Sequence, residues 1–328
     1  MWLADPVSVS SPPIMEFLAI AVAAVFIALS GRNDGGALLA AGITKANRKP
    51  MILGLTAAAG LVIAPLLHGT RVAATLIDGI IPIEGRVDLI IIVVATTAAI
   101  VAVSTKFGLA TSIGLALVGS LAGAGVGAGL IVDGGAVGKI LLLGAASPIV
   151  AAILGRVVAA VMTQMPVLRS RRRSANKVRR ITYPFLSFAY GANDGQKALA
   201  VLALAAGADL DSTSQVAFLA IVSAVLFLGG MLIGAKPVAT KIGREMVRTY
   251  PIEIAIADVV ASGVVVGGAT LGTPLSMTQA ITGATVGVTS RTGRSYVRWP
   301  VLGRTVLAWL LTFPVTALIA GLVTVVIV

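Results

Sequence analysis

The chain contains no cysteine, which excludes disulfides and thiolate metal centres. Charge is also scarce: 12% of the 328 residues are charged and 5% are aromatic, against 57% hydrophobic. Soluble domains carry about 25% charged and about 45–50% apolar residues, so this composition, with a mean hydropathy of +1.01, is that of a membrane protein. The single histidine, His68, falls at the end of an apolar run and reads as an interfacial residue rather than a proton relay. No basic segment precedes the first apolar run, which is therefore expected to be a retained helix and not a cleaved signal.

What the sequence does have is long apolar runs: Ile14–Leu29, Met51–Leu67, Leu89–Val103, Leu109–Val132, Ile140–Met165, Val216–Ile233, Ile252–Ala269 and Val301–Val328. Each approaches or exceeds the roughly 20 residues that cross a hydrocarbon core. They are continuous rather than alternating, which argues for helices over a barrel. The expected fold is all-α: a polytopic membrane helix bundle of about 10–12 helices. The 37 glycines suit close helix packing in lipid.

The net charge of +12 is concentrated, with seven Lys and Arg residues between Arg169 and Arg180. Beside apolar spans this marks a cytoplasmic loop rather than a nucleic-acid surface. Lys45–Lys49, Lys236–Arg248 and Arg291–Arg304 join it by the same rule. Walking the chain gives ten crossings in a multi-pass plasma-membrane protein, with both termini outside.

The chain also resembles itself. Gly31-Arg32-Asn33-Asp34-Gly35 recurs as Gly191-Ala192-Asn193-Asp194-Gly195, and the segment from Gly69 recurs from Gly234. The stretch from Gly108 recurs from Gly272, matching Ser112 with Ser276 and Gly119 with Gly283. An almost constant offset points to a duplication: 14–168 as one repeat, 169–180 as a basic linker and 181–328 as the second. Five crossings separate the copies, so the repeats are expected to be inverted, as in secondary transporters.

Ionisable groups inside membrane spans mark ion or substrate paths. Asp34 and Asp194, each preceded by Asn33 or Asn193 and flanked by glycines, read as a break in a helix offering hard oxygen ligands to Na⁺, a divalent cation or a proton. Ser276, Thr278 and Gln279, with Ser112 in the first copy, bring polar groups to a helix start that attracts an anion. Lys197 lies on the helical face of Asp194, either neutralising it or touching the anion. Arg32 reads equally as a substrate contact or a snorkelling surface residue. The bland alternative is that these polar groups cap helices and glue them together. Two intramembrane aspartates also admit a proteolytic dyad, although a dyad needs no duplicated Asn, Gly and Ser landmarks.

At GANDGQK (Gly191–Lys197) and the Gly272-Thr273-Pro274-Leu275-Ser276 segment the chain resembles the PiT family of inorganic phosphate transporters, in particular its bacterial low-affinity branch. The resemblance implies re-entrant hairpins at the two Ser landmarks. It also implies symport of phosphate with H⁺, with Na⁺ or as a metal-phosphate complex. No cofactor is expected beyond that coupling cation or co-transported divalent metal, and no enzyme activity. The expected partners are inorganic phosphate and the lipid bilayer, with a homodimer left open. Departures concentrate in the first copy, where Arg32 and Ala37 replace family residues and Ala110–Leu115 has lost two hydroxyls and a ring. In the second, Met277 and Gln279 replace a Thr and a His. Fewer cation ligands tilt coupling towards H⁺ or a metal-phosphate species. Sulfate permeation and a non-transporting paralogue are the remaining alternatives.

Overall fold

The computed structural model describes residues 12–42, 50–107, 111–162, 173–245 and 251–328, excepting the side chains at 37, 40, 173–177, 235–245, 251, 292 and 294. The Lys45–Lys49 loop, residues 169–172 of the basic linker and the 246–248 part of the third basic loop lie outside the described residues. Before the central linker come α1 (Pro13–Gly42), α2 (Pro50–His68), α3 (Arg71–Ile77), α4 (Val87–Lys106), α5 (Ile113–Gly127) and α6 (Gly134–Met162). After it come α7 (Arg173–Tyr190), a π-turn (Gly191–Gly195), α8 (Gln196–Ala206), α9 (Thr213–Glu245), α10 (Pro251–Thr270), α11 (Met277–Thr292) and α12 (Trp299–Ile327).

The protein is a polytopic membrane bundle. Seven described helices are long and apolar enough to cross a bilayer: α1, α2, α4, α6, α9, α10 and α12. The other three crossings read from the sequence fall on α5, α11 and the α7–π–α8 run, none of which meets that test alone. The Leu109–Val132 run, expected as a full crossing, holds a helix of only 15 residues. Ser112 starts this helix by accepting a hydrogen bond from Leu115 N at 3.3 Å, and Gly129 with φ of 69° turns the chain after its end. Fifteen residues rise roughly 22 Å, short of the roughly 30 Å hydrocarbon thickness, so α5 ends part-way across.

Helix starts at residues 13, 50, 87, 113 and 134 are followed by starts at 173, 213, 251, 277 and 299, each 160 to 165 residues further on. Packing partners are exchanged in the same way. Helix α1 packs on α9 while α2 packs on α7 and the π-turn, and α5 packs on α12 while α11 packs on α6. Small residues allow this approach. A Cβ on Gly119 would lie 2.6 Å from Phe313 O on α12, and one on Gly283 would lie 2.7 Å from the carbonyl carbon of Pro148 on α6. Helices α4 and α5 form one hairpin, α10 and α11 another, and each is joined by six residues. In the second, Gly272 with φ of 66° turns the chain and Pro274 follows.

Candidate functional site

The two Asn-Asp motifs adopt different local structures. Helix α1 runs unbroken through Gly31–Gly35, whereas Gly191–Gly195 forms the π-turn between α7 and α8. This corrects the expectation of a glycine-made break in both copies. The glycines serve close packing instead: a Cβ on Gly35 would lie 2.5 Å from Met231 Cγ, and one on Gly191 would lie 2.6 Å from the Gly60 carbonyl carbon. The π-turn widens one turn of helix, a distortion frequent at functional sites.

In the second copy the π-turn is tied to the tip of its own hairpin. Asp194 Oδ2 accepts from the backbone N–H of Met277, the first residue of α11, at 3.0 Å. Its Oδ1 pairs with Lys197 Nζ at 2.7 Å, and Lys197 Nζ also donates to Leu275 O at the same tip. A carboxylate at a helix N-terminus is held by the dipole and by a free N–H, so Asp194 takes the place an anion would occupy at α11. Asn193 Nδ2 donates to Thr273 O at 2.9 Å, while Asn193 Oδ1 is buried without a hydrogen-bond donor. Ser276 and Thr278 bond each other at 2.8 Å, and Gln279 is buried one step further into α11.

The first copy is wired differently. Asp34 Oδ1 accepts from Asn33 Nδ2 at 3.0 Å and Oδ2 from the Tyr190 hydroxyl at 3.0 Å, the latter crossing from α7 of the second copy. Asn33 Oδ1 accepts from Thr105 at the end of α4, at 2.9 Å, linking this motif to the first hairpin. Arg32 is exposed to the surroundings of the bundle and lines no part of the site.

Asp34, Asp194 and Lys197 line one cavity together with Ser30, Ile113, Tyr190, Gly195, Ala198 and the apolar side chains Phe26, Leu61 and Phe227. The cavity has space for about one water molecule, less than a tetrahedral oxyanion requires. The N-terminus of α5 enters it at Ile113, and a Cβ on the adjoining Gly114 would lie 2.9 Å from Lys197 Nζ and 3.5 Å from Pro274 O. The tips of both hairpins therefore meet around the ammonium group. Among the residues singled out in the sequence, Asn33 bonds Asp34, Asn193 bonds the Thr273 carbonyl and Ser112 caps α5, and none of the three lines the cavity. Ser276, Thr278 and Gln279 stand at the second tip without lining the cavity. Among the described residues no three His, Asp or Glu side chains are grouped as a metal centre.

Sequence reasoning missed three residues that hold the site. Gln196 is fully buried: its Oε1 accepts from the backbone N–H groups of Val72 and Ala73 at 2.9 and 3.1 Å, and its Nε2 donates to Gly69 O at 2.8 Å. It thereby caps α3, and an amide between Asp194 and Lys197 in an apolar run was the available signal. Tyr190 and Gly114 gave none, because their partners are far away in the chain.

This arrangement, a helical membrane bundle with two hairpin tips converging on buried carboxylates and an ammonium, is suited to passing a charged solute through the bilayer. Comparison with known proteins agrees. The phosphate transporter family profile matches residues 178–320. A Mycobacterium bovis protein named "Probable low-affinity inorganic phosphate transporter" is 30% identical over 322 residues, covering 93% of this chain and 75% of its own length. A Rhizobium meliloti protein of the same name is 29% identical, covering 92% of this chain and 93% of its own. A solved structure titled "The sodium-dependent phosphate transporter" shares the fold with a TM-score of 0.81 at 18% identity, over 95% of this chain and 98% of that one. The chain belongs to the phosphate transporter family.

Proposed function

We propose that this protein is a secondary transporter that carries inorganic phosphate across a cell membrane. In this reading two inverted halves rock about the cavity between the hairpin tips. The observation that carries it is that one cavity is lined by the Lys197 ammonium, the first residue of α5 and the Asp34 carboxylate. The ammonium and the helix N-terminus attract a phosphate oxyanion. Asp34 accepts the proton that phosphate carries near neutral pH, whereas sulfate has no proton to donate and meets the carboxylate as like charge. The names of the curated relatives support phosphate as substrate.

The cavity is too small for the anion, so binding requires the tips to separate. The Asp194–Met277 and Lys197–Leu275 bonds are the ties that hold the second tip shut. The exchanged packing partners of the two copies support the inverted relation, and the short α5 and α11 support re-entry of each hairpin. The basic linker is assigned to the cytoplasm and both termini to the outside. The driving ion is H⁺, Na⁺ or a divalent metal moving with the anion.

Uptake of radiolabelled phosphate and sulfate into proteoliposomes tests the reading. Phosphate entry is expected to exceed sulfate entry at least about tenfold, well below the roughly 10⁴-fold that a buried polar group left unpaired can impose. Phosphate entry is further expected to fall to background in Asp194→Asn. Equal entry of the two anions, or unchanged uptake in the variant, refutes it.

A further inference from the structure

Lys197 is the least expected group in the bundle. Its side chain is 1% exposed, in a membrane protein where a buried ammonium is costly unless oxygen atoms surround it. Two of its acceptors are a carboxylate oxygen of Asp194 and the carbonyl oxygen of Leu275, the ligand types that hold a small hard cation. The first hairpin leaves room for it, since any side chain at position 114 would meet Nζ. Both tips are thus shaped around one positive charge that is covalently tethered three residues from the carboxylate it neutralises.

We infer that Lys197 is the resident cation of the anion site, filling at Asp194 the place that a coupling sodium ion would otherwise take. The inference rests on the phosphate-transport reading for its consequence but not for its test. A tethered ammonium is present at high effective concentration, so millimolar sodium does not displace it. With the ammonium 2.7 Å from Asp194, a second cation at that carboxylate meets a like charge. At Asp34 each oxygen accepts one hydrogen bond, from Asn33 and from Tyr190, and its remaining acceptor capacity faces the cavity where the anion's proton is received. Phosphate transport by this chain therefore needs no sodium, and deleting the ammonium creates a sodium site.

The test uses the purified full chain, with Lys197→Ala and the charge-free pair Asp194→Asn/Lys197→Met. Melting temperature is measured in NaCl and in choline chloride of equal ionic strength, and phosphate uptake into proteoliposomes is measured in the same two salts. The wild type should melt at the same temperature in both salts and take up phosphate at rates within about twofold. Lys197→Ala should melt several degrees higher in sodium, as a ligand that binds only the native state raises its stability, and any uptake it retains should require sodium. The double variant should show no sodium effect. Sodium-dependent uptake by the wild type overturns the inference, as does a Lys197→Ala protein that melts alike in both salts. If Lys197→Ala folds in neither salt while the double variant folds, the stand-in role is likewise overturned. Should no protein move phosphate, the transport reading falls alone, and the melting comparison still decides the role of Lys197.

Discussion

Asp34 and Asp194 occupy matching positions of the two Asn-Asp motifs, yet their removal should have unequal consequences. In Asp194→Asn the Lys197 ammonium keeps the Leu275 carbonyl but loses the carboxylate it pairs with at 2.7 Å. Breaking a buried pair by deleting one partner costs about 3–5 kcal/mol, a large part of a total stability of about 5–15 kcal/mol. At about 2 °C per kcal/mol for a chain of this size, the melting temperature of detergent-purified protein should fall by roughly 6–10 °C. Asp34→Asn leaves an amide oxygen that still accepts from Tyr190, and no ion pair is broken. Its cost should be about 1 kcal/mol, or about 2 °C. The double variant Asp194→Asn/Lys197→Met should recover most of the loss, because replacing both charges of a buried pair is often nearly neutral. A thermal-unfolding series in one detergent at fixed pH reads all three values. If Asp34→Asn is as damaging as Asp194→Asn, or if the double variant melts no higher than Asp194→Asn alone, the ion-pair account is refuted.

Two further outcomes follow from packing and capping. Gly191→Ala places a Cβ against the Gly60 carbonyl and 3.0 Å from Ala64 Cβ, and overpacking of this kind should cost about 1–3 kcal/mol. Gly229→Ala meets nothing within 4 Å and should leave melting unchanged or raise it slightly, so equal loss in the two variants contradicts the close-packing role. Gln196→Leu strips the backbone N–H groups of Val72 and Ala73 and the Gly69 carbonyl of their partner, at about 1–3 kcal/mol for each buried group left unpaired. Hydrogen exchange should accelerate at Val72 and Ala73 specifically, and protection equal to that of the wild type would rule out the capping role.

Much of the architecture was legible in the sequence because lipid imposes a simple code. A chain that exposes apolar side chains to acyl tails and satisfies every backbone group internally must be written as long apolar helices, and α1, α2 and α12 can be read that way directly. The Asn-Asp motifs were legible too, since a carboxylate among alanines and leucines stands out against a composition with 12% charge. The length of α5 was not. Its apolar run continues past Gly127, and only the turn at Gly129 and the packing on α12 end the helix. Composition carries no record of that ending.

By itself the sequence determined the medium, the helical class, the recurrence of the motifs and the identity of Asp34, Asp194 and Lys197 as polar groups in an apolar bundle. Local composition and spacing are enough for these, because each depends on residues close together in the chain. Tertiary structure alone decided that Lys197 also reaches the Leu275 carbonyl, that Tyr190 reaches Asp34 across 156 residues, and that the two motif aspartates have unequal partners. Such pairings depend on which helices pack together, and that is settled by the fit of small residues against distant backbone, a long-range steric match that periodicity does not encode.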